Sequence, residues 1–416
     1  MKVNYAGPYY NEKELVAAKE ALDDGWLVMG KKCYKFERQF CKYFGKDHGI
    51  FTNSGSSANL LMISALKSNK LKLLKDGDGV ITPVSGFPTT VNPIIQNNLR
   101  PIFCDIELET LNINVDSIPD IDAKAMIFAH VLGNPANMKD VIDFCGPNDY
   151  HDDDIILLED CCDAVGSTYK EKKLGSFGLM SSCSMYPAHH ITTLGEGGFV
   201  STNDAKVHQT LLSLRGWGGG CHCSGKARDT VNGACGKRFS NWINAFSDES
   251  FDHRYVYSEI GYNLKPIEIQ GAVGLEQLKK FDEIKRIRQK NWARLNSIFS
   301  QYEEFFIVHQ PRKGCDVNWF AFPCTVRSRN VFKRFDFCHG LEKRGIQTRP
   351  YFAGNLLLQP AYKNITNLTT QERKDKFPVA TRVMLDTFFL GVSPVITDKQ
   401  LDYIEESVSI IMKDLT

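Results

Sequence analysis

The feature that most constrains this chain is an alternation through its first two-thirds. Short apolar runs at Gly79–Pro83, Pro101–Asp105, Ala125–Val131, Ile155–Asp160 and Ser181–Tyr186 read as strands. Between them, Ser56–Leu66, Thr89–Gln96 and Met138–Phe144 carry helical patterning. This is the strand–helix alternation of a mostly parallel, doubly wound sheet with helices on both faces. Sheets of this kind bind ligands beyond the carboxyl ends of their strands. After Asn263 the texture changes. Pro266–Phe281 and Asp282–Ser300 read as two long helices. A smaller α+β region follows, with an apolar run at Trp319–Val326, a helix near Phe332–Arg344 and a strand near Thr348–Phe352. A terminal amphipathic helix starts at Thr397, its candidate N-cap. The expected organisation is a large α/β domain over residues 1–275 and a smaller α+β domain over 276–416.

Composition excludes several partners. The formal net charge of +1 offers no basic field for nucleic acid or an anionic membrane. No stretch approaches the roughly 20 apolar residues of a membrane span. The first residues, MKVNYAGPYYNEKEL, contain no apolar signal core, so the expected location is the cytoplasm. Thirteen cysteines is an odd number in a long chain. Reduced thiols, some of them metal ligands, are expected rather than a disulfide framework. Cys33, Cys104 and Cys324 read as small core hydrophobes.

Three segments carry chemistry. Thr52-Asn53-Ser54-Gly55-Ser56-Ser57 lies between an apolar run and a helix, where glycine and free helix amides suit a phosphate. An ordinary serine cap has the same composition. In Leu157-Leu158-Glu159-Asp160-Cys161-Cys162-Asp163 an acid sits at a strand's carboxyl end. There it can pair with a protonated pyridine nitrogen or merely cap the next element. Ser184-Met185-Tyr186-Pro187-Ala188-His189-His190 runs into Gly195-Glu196-Gly197-Gly198. Neighbouring histidines suggest an acid/base group or a metal ligand. On an extended segment they face opposite sides, so one atom would use only one of them.

In order and spacing, TNSGSSANL, GFPTTVNPIIQN, LLEDCCDAVGS, SMYPAHHITTLGEGG and GYNLK resemble the DegT/DnrJ/EryC1/StrS family over nearly the whole chain. The resemblance implies the fold-type I, aspartate-aminotransferase-like architecture, with the cofactor in the large domain. Ordinary members hold pyridoxal phosphate covalently on a lysine; here that position is His189. The substitution marks a branch that resembles sugar-nucleotide 3-dehydratases, which use pyridoxamine 5′-phosphate. The resemblance further implies that Asp160 pairs with the pyridine nitrogen and that Asp163 lies near the 3-hydroxyl. Phe87 would stack on the ring, with core packing as its competing role. Gly55, Ser56 and Ser184 would hold the phosphate. Asn263 would reach the phosphate of a neighbouring subunit, which implies a homodimer with shared active sites. Arg349, Tyr351 and Arg238 are candidates for the substrate's nucleotide diphosphate.

The cysteines separate two kinds of dehydratase within that branch. Cys221-His222-Cys223 is followed, after an eleven-residue loop, by Cys235. Cys162 is the candidate fourth ligand. Four thiolates suit a [2Fe–2S] cluster, or zinc. The cluster-bearing kind acts on CDP-4-keto-6-deoxyglucose and takes electrons from a separate iron–sulfur flavin reductase. A cluster-free kind acts on GDP-4-keto-6-deoxymannose and uses glutamate. The loop before Cys235 is longer than the cluster-bearing pattern implies. Two further readings are unligated cysteines on a loop, and a non-catalytic relative that keeps the fold and a metal-binding loop.

Overall fold

The computed structural model describes residues 1–146, 154–221, 239–240, 243, 245 and 249–416. Its helices and strands begin with α1 (Glu12–Asp23), α2 (Lys31–Phe40), β1 (His48–Thr52), α3 (Gly55–Lys67), β2 (Gly79–Pro83) and α4 (Pro88–Gln96). There follow β3 (Arg100–Cys104), β4 (Ala125–Ala129), α5 (Met138–Cys145) and β5 (Ile156–Asp160). Next come β6 (Thr168–Tyr169), β7 (Lys172–Lys173), β8 (Met180–Ser184), β9 (Gly198–Thr202) and α6 (Ala205–Arg215). The later elements are α7 (Glu268–Leu278), α8 (Phe281–Phe299), β10 (Phe306–Val308), β11 (Cys315–Asp316), β12 (Ala321–Val326) and α9 (Arg334–Lys343). Last are β13 (Arg349–Pro350), α10 (Thr370–Lys376), α11 (Pro378–Asp386), β14 (Thr387–Gly391) and α12 (Asp398–Leu415).

The main sheet has seven strands in the order β1-β9-β8-β5-β4-β2-β3. β8, β5, β4, β2 and β3 pair in parallel, while β9 runs against both β1 and β8. Successive residues of a strand point to opposite faces. Phe51, Met126, Leu157 and Phe199 accordingly join one core, with α2, α5 and the start of α8. Their neighbours Ile50, Ile127, Leu158 and Val200 join a second core, under α3 and α6. Both faces are covered, so β5 is buried at every position, including its two acids. Cys33, Cys104 and Cys324 are fully buried.

The later region packs around an antiparallel sheet, β10-β12-β14-β13. Its core takes Trp292, Leu295 and Phe299 from α8. It also takes Val3, which pairs beside Ile346, so the first residues of the chain lie against the late ones. α12 starts where Thr397 accepts the Gln400 amide and Gln400 answers with its own side chain. Among the described residues, no helix is long and apolar enough to cross a membrane.

Candidate active site

β5 ends at Asp160, β8 ends at Ser184, and β1 leads into the start of α3. Their carboxyl ends open into a cavity of about 1230 Å³. Its floor includes Ser54, Gly55, Ser56, Asp160, Cys162, Asp163, Ser184 and His189; its outer wall includes Tyr5, Phe87, Arg349 and Phe352.

The start of α3 lies on the cavity floor. Ser54 caps α3 by accepting the Ser57 amide at 3.1 Å, which leaves Gly55 and Ser56 heading the helix at the positive end of its dipole. Glycine is required at 55, because an added Cβ would lie 2.6 Å from the Ser184 Cβ. It is required again at 198, where a Cβ would lie 2.0 Å from the Ser54 carbonyl oxygen. The Gly-rich turn before β9 thus allows that strand to pass directly behind the anion loop.

Asp160 is 3% exposed and held from both sides. Its Oδ2 accepts from Asn59 Nδ2 at 2.7 Å and Thr90 Oγ1 at 2.8 Å; its Oδ1 accepts from the Cys162 amide at 3.0 Å. Ser182 Oγ donates to Asn59 Oδ1 at 2.5 Å, which turns the Asn59 amide toward the acid. Donors on both oxygens fix the side chain, and a fixed buried acid at this place can pair with a cationic ring nitrogen.

His189 sits in a turn closed by its own amide donating to Tyr186 O at 2.8 Å. The segment is a turn rather than extended, yet the two histidines still diverge. His189 lines the cavity, whereas His190 is buried with Nε2 2.9 Å from Asn318 O. Burial, and then the Arg288 guanidinium, hold the His189 imidazole down at about 4. Its Nδ1 lies 3.4 Å from Asp163 Oδ1. Burial and the Asp160 charge push the Asp163 carboxyl up to about 7. At neutral pH His189 is therefore a free base beside an acid that can hold a proton.

The residues singled out in the sequence are not all brought together. Gly55, Ser56, Phe87, Asp160, Cys162, Asp163, Ser184, His189 and Arg349 share the cavity. Phe87 is 52% exposed on its wall, so it is not packed into the core. Arg349 lies over the Tyr5 ring, 4.2 Å from its centroid. Tyr351 is a correction: it does not face the substrate space. β13 ends at Pro350, and the following turn buries Tyr351 with its hydroxyl on Leu111 O at 3.0 Å. The strand expected over Thr348–Phe352 is reduced to two residues for the same reason. Asn263 is exposed, outside the cavity, and bridged to Gly216. Cys221 lies in the stretch after α6, where the Gly220 amide donates to Val256 O. Cys223, Cys235 and Arg238 lie outside the described residues.

Sequence reading missed Asn59, Thr90 and Ser182, which hold Asp160, and Tyr5, Glu196 and Phe352, which line the cavity. Asn59 left one signal, a polar residue on the face of α3 that packs against the sheet. Tyr5 left none, since 344 residues separate it from Arg349.

Residues 8–409 match the model of the DegT/DnrJ/EryC1/StrS aminotransferase family. The chain belongs to this family. Among curated relatives it is 38% identical over 404 residues to the lipopolysaccharide biosynthesis protein RfbH of Salmonella typhimurium, covering 96% of this chain and 89% of that one. It is 37% identical over 410 residues to dTDP-4-dehydro-2,6-dideoxy-D-glucose 3-dehydratase of Saccharopolyspora spinosa, covering 97% and 85%. Among solved structures it is similar to GDP-4-keto-6-deoxymannose-3-dehydratase with a trapped PLP–glutamate geminal diamine. That match has a TM-score of 0.83 and 30% identity, over 98% of this chain and 100% of the other. The fold is that of the PLP-dependent, aspartate-aminotransferase-like enzymes, as the sequence resemblance implied.

The family's cofactor fits the residues present. A phosphate has the α3 amides and Ser184, a pyridinium nitrogen has Asp160, and a flat ring has the open face of Phe87.

Proposed function

We propose that this protein is a pyridoxamine-phosphate-dependent 3-dehydratase. It removes the C3 hydroxyl of a nucleotide-linked 4-keto-6-deoxyhexose, which we assign as CDP-4-keto-6-deoxyglucose. The carrying observation is His189. It stands where the family keeps its cofactor lysine, and no lysine is among the described residues lining the cavity. An imidazole cannot hold an aldehyde covalently as an amine does, so the cofactor is kept by non-covalent contacts alone. The named 3-dehydratases among the relatives support the reaction class.

When bound, pyridoxamine phosphate supplies a primary amine for the C4 ketone and a pyridinium ring as electron sink. Gly55, Ser56 and Ser184 bind its phosphate, Asp160 keeps the ring nitrogen protonated, Asp163 meets the 3-hydroxyl, and Phe87 covers the ring. His189, unprotonated at neutral pH, would take the proton from C4′. Arg349 contacts the diphosphate. Asn263, exposed and outside its own cavity, reaches the phosphate of a partner copy in a homodimer.

We assign Cys162, Cys221, Cys223 and Cys235 as ligands of a [2Fe–2S] cluster. The donor set suits it, and Cys162 already lines the cavity. Burial and then Asp160 push the Cys162 thiol well up, so it needs the charge of a metal to ligate as thiolate. The cluster would supply one-electron chemistry to reduce the dehydrated sugar, with a separate iron–sulfur flavin reductase as electron source. Anaerobically purified protein is expected to hold about two irons and two sulfides per chain. Zinc alone would overturn this half of the reading.

A second reading rests on the similar structure that carries a trapped PLP–glutamate adduct. In it the enzyme has no cluster, acts on GDP-4-keto-6-deoxymannose and regenerates the amine form from glutamate. An anaerobic assay with CDP- and GDP-linked 4-keto-6-deoxyhexoses, with reductase or with glutamate, separates the two. Turnover of the CDP sugar that requires the reductase supports the first; glutamate-dependent turnover of the GDP sugar supports the second.

A further inference from the structure

α8 carries a cation into the interior directly behind the candidate base. Arg288 is 1% exposed. Its Nη2 donates to the carbonyls of His189 at 2.7 Å and Ala188 at 3.1 Å. Its Nη1 donates to the carbonyls of Phe320 at 3.0 Å and Trp319 at 3.2 Å. The Phe320 ring, on the stretch leading into β12, lies 5.0 Å from the His189 ring. One guanidinium therefore ties together the backbone of the His189 turn and the backbone that presents the ring packed on His189.

All four of these acceptors are neutral main-chain oxygens, so no hydrogen bond in the set neutralises the charge. Burying a cation on such terms is costly, and an apolar side chain of similar length would fill the space at lower cost. The cation's position suggests why it is kept. We infer that Arg288 is a positioning residue for this reaction: it fixes the turn carrying His189 and sets a buried charge behind that imidazole. This rests on the reading of His189 as the base.

The electrostatics agree. Arg288 is the second cause, after burial, of the low basicity of His189, and it also lowers His190. Burial brings Arg288 itself down to about 9, so it remains charged at neutral pH. The other groups around His189 are Asp160 and Asp163 from the end of β5, Tyr186 and His190 from its own segment, and Tyr5 and Arg349 across the cavity. Of these, Asp160 opposes Arg288 by favouring the protonated ring.

The test is an NMR titration of the His189 ring in cofactor-free protein, its resonance assigned by its absence in His189→Asn. The wild-type ring is expected to stay unprotonated to below pH 5. Arg288→Gln is expected to raise the midpoint, whereas Arg288→Lys, which keeps the charge, should leave it near the wild-type value. In the loaded enzyme, kcat/KM of Arg288→Gln should fall about threefold more than that of wild type between pH 8 and 5.5, as an upward pKa shift requires. An unchanged midpoint in Arg288→Gln, with or without lost activity, reduces Arg288 to a structural role and overturns the inference. If that variant does not fold, the wild-type titration decides instead: a midpoint at the ordinary histidine value overturns it. Full dehydratase activity in His189→Asn would instead overturn the assignment of the base, whatever Arg288 does.

Discussion

At the scale of single residues, the site works by giving similar groups different environments. Asp160 and Asp163 are three positions apart and both buried. The first is wrapped by Asn59, Thr90 and a main-chain amide, while the second has one long amide contact, from Leu132 at 3.3 Å, and His189 beside it. The second, its carboxyl held up at about 7, suits a proton that comes and goes near neutrality. We expect His189→Asn to bind pyridoxamine phosphate within a few-fold of wild type and to lose about 100-fold or more in dehydration, the usual worth of a positioned base. Equilibrium binding and single-turnover rates check the two halves separately. The acid and the histidine were legible in the sequence because each lies in a local motif. The support of Asp160 was not, since Asn59 and Thr90 lie 101 and 70 residues away and meet it only in the fold.

At the scale of elements, the anion loop and the strand behind it form one unit. Gly55 at the head of α3 and Gly198 at the start of β9 each leave room that a Cβ would take. Gly55→Ala should push Ser184 away from the loop and weaken cofactor binding about tenfold or more, with the far-ultraviolet dichroism unchanged; a fluorescence titration with pyridoxal phosphate checks this. Periodicity and caps marked several long elements, α3, α8 and α12 among them, but left α2 and α6 unread. Gly79–Pro83 appears as expected, and α12 begins after its Thr397 cap. Other failures were at short elements. β13 stops at Pro350, so Tyr351 turns into the core instead of toward the substrate. A two-residue strand has no periodicity to read, and its end depends on a turn packed by distant residues.

At the scale of the whole molecule, folding buries histidines as neutral rings. Burial holds His189 and His309 at about 4 and His190 well below its ordinary value. In the unfolded chain each takes a proton near 6.5, so between about pH 6.5 and 4 the unfolded state binds more protons and stability falls as pH falls. Each group contributes up to about 1.4 kcal/mol per pH unit. Asp163, held up at about 7, acts in the opposite sense: its contribution is present at low pH and lost as pH rises through 7. The histidines outnumber it, so the melting temperature should drop steeply below pH 6.5, which a calorimetric pH series checks. The doubly wound plan was legible from strand–helix alternation alone. The reversed strand β9 and the return of Val3 to the late core were not, because neither leaves a local pattern.

With histidine in place of lysine, this fold is proposed to break a carbon–oxygen bond at C3 instead of exchanging an amine at C4. The most direct measurement uses protein loaded with pyridoxamine phosphate and a nucleotide-linked 4-keto-6-deoxyhexose carrying oxygen-18 at C3, followed by mass spectrometry. Loss of the C3 label into water is expected, abolished in His189→Asn. Retention of the label, together with conversion of the ketone to an amino sugar, would contradict it.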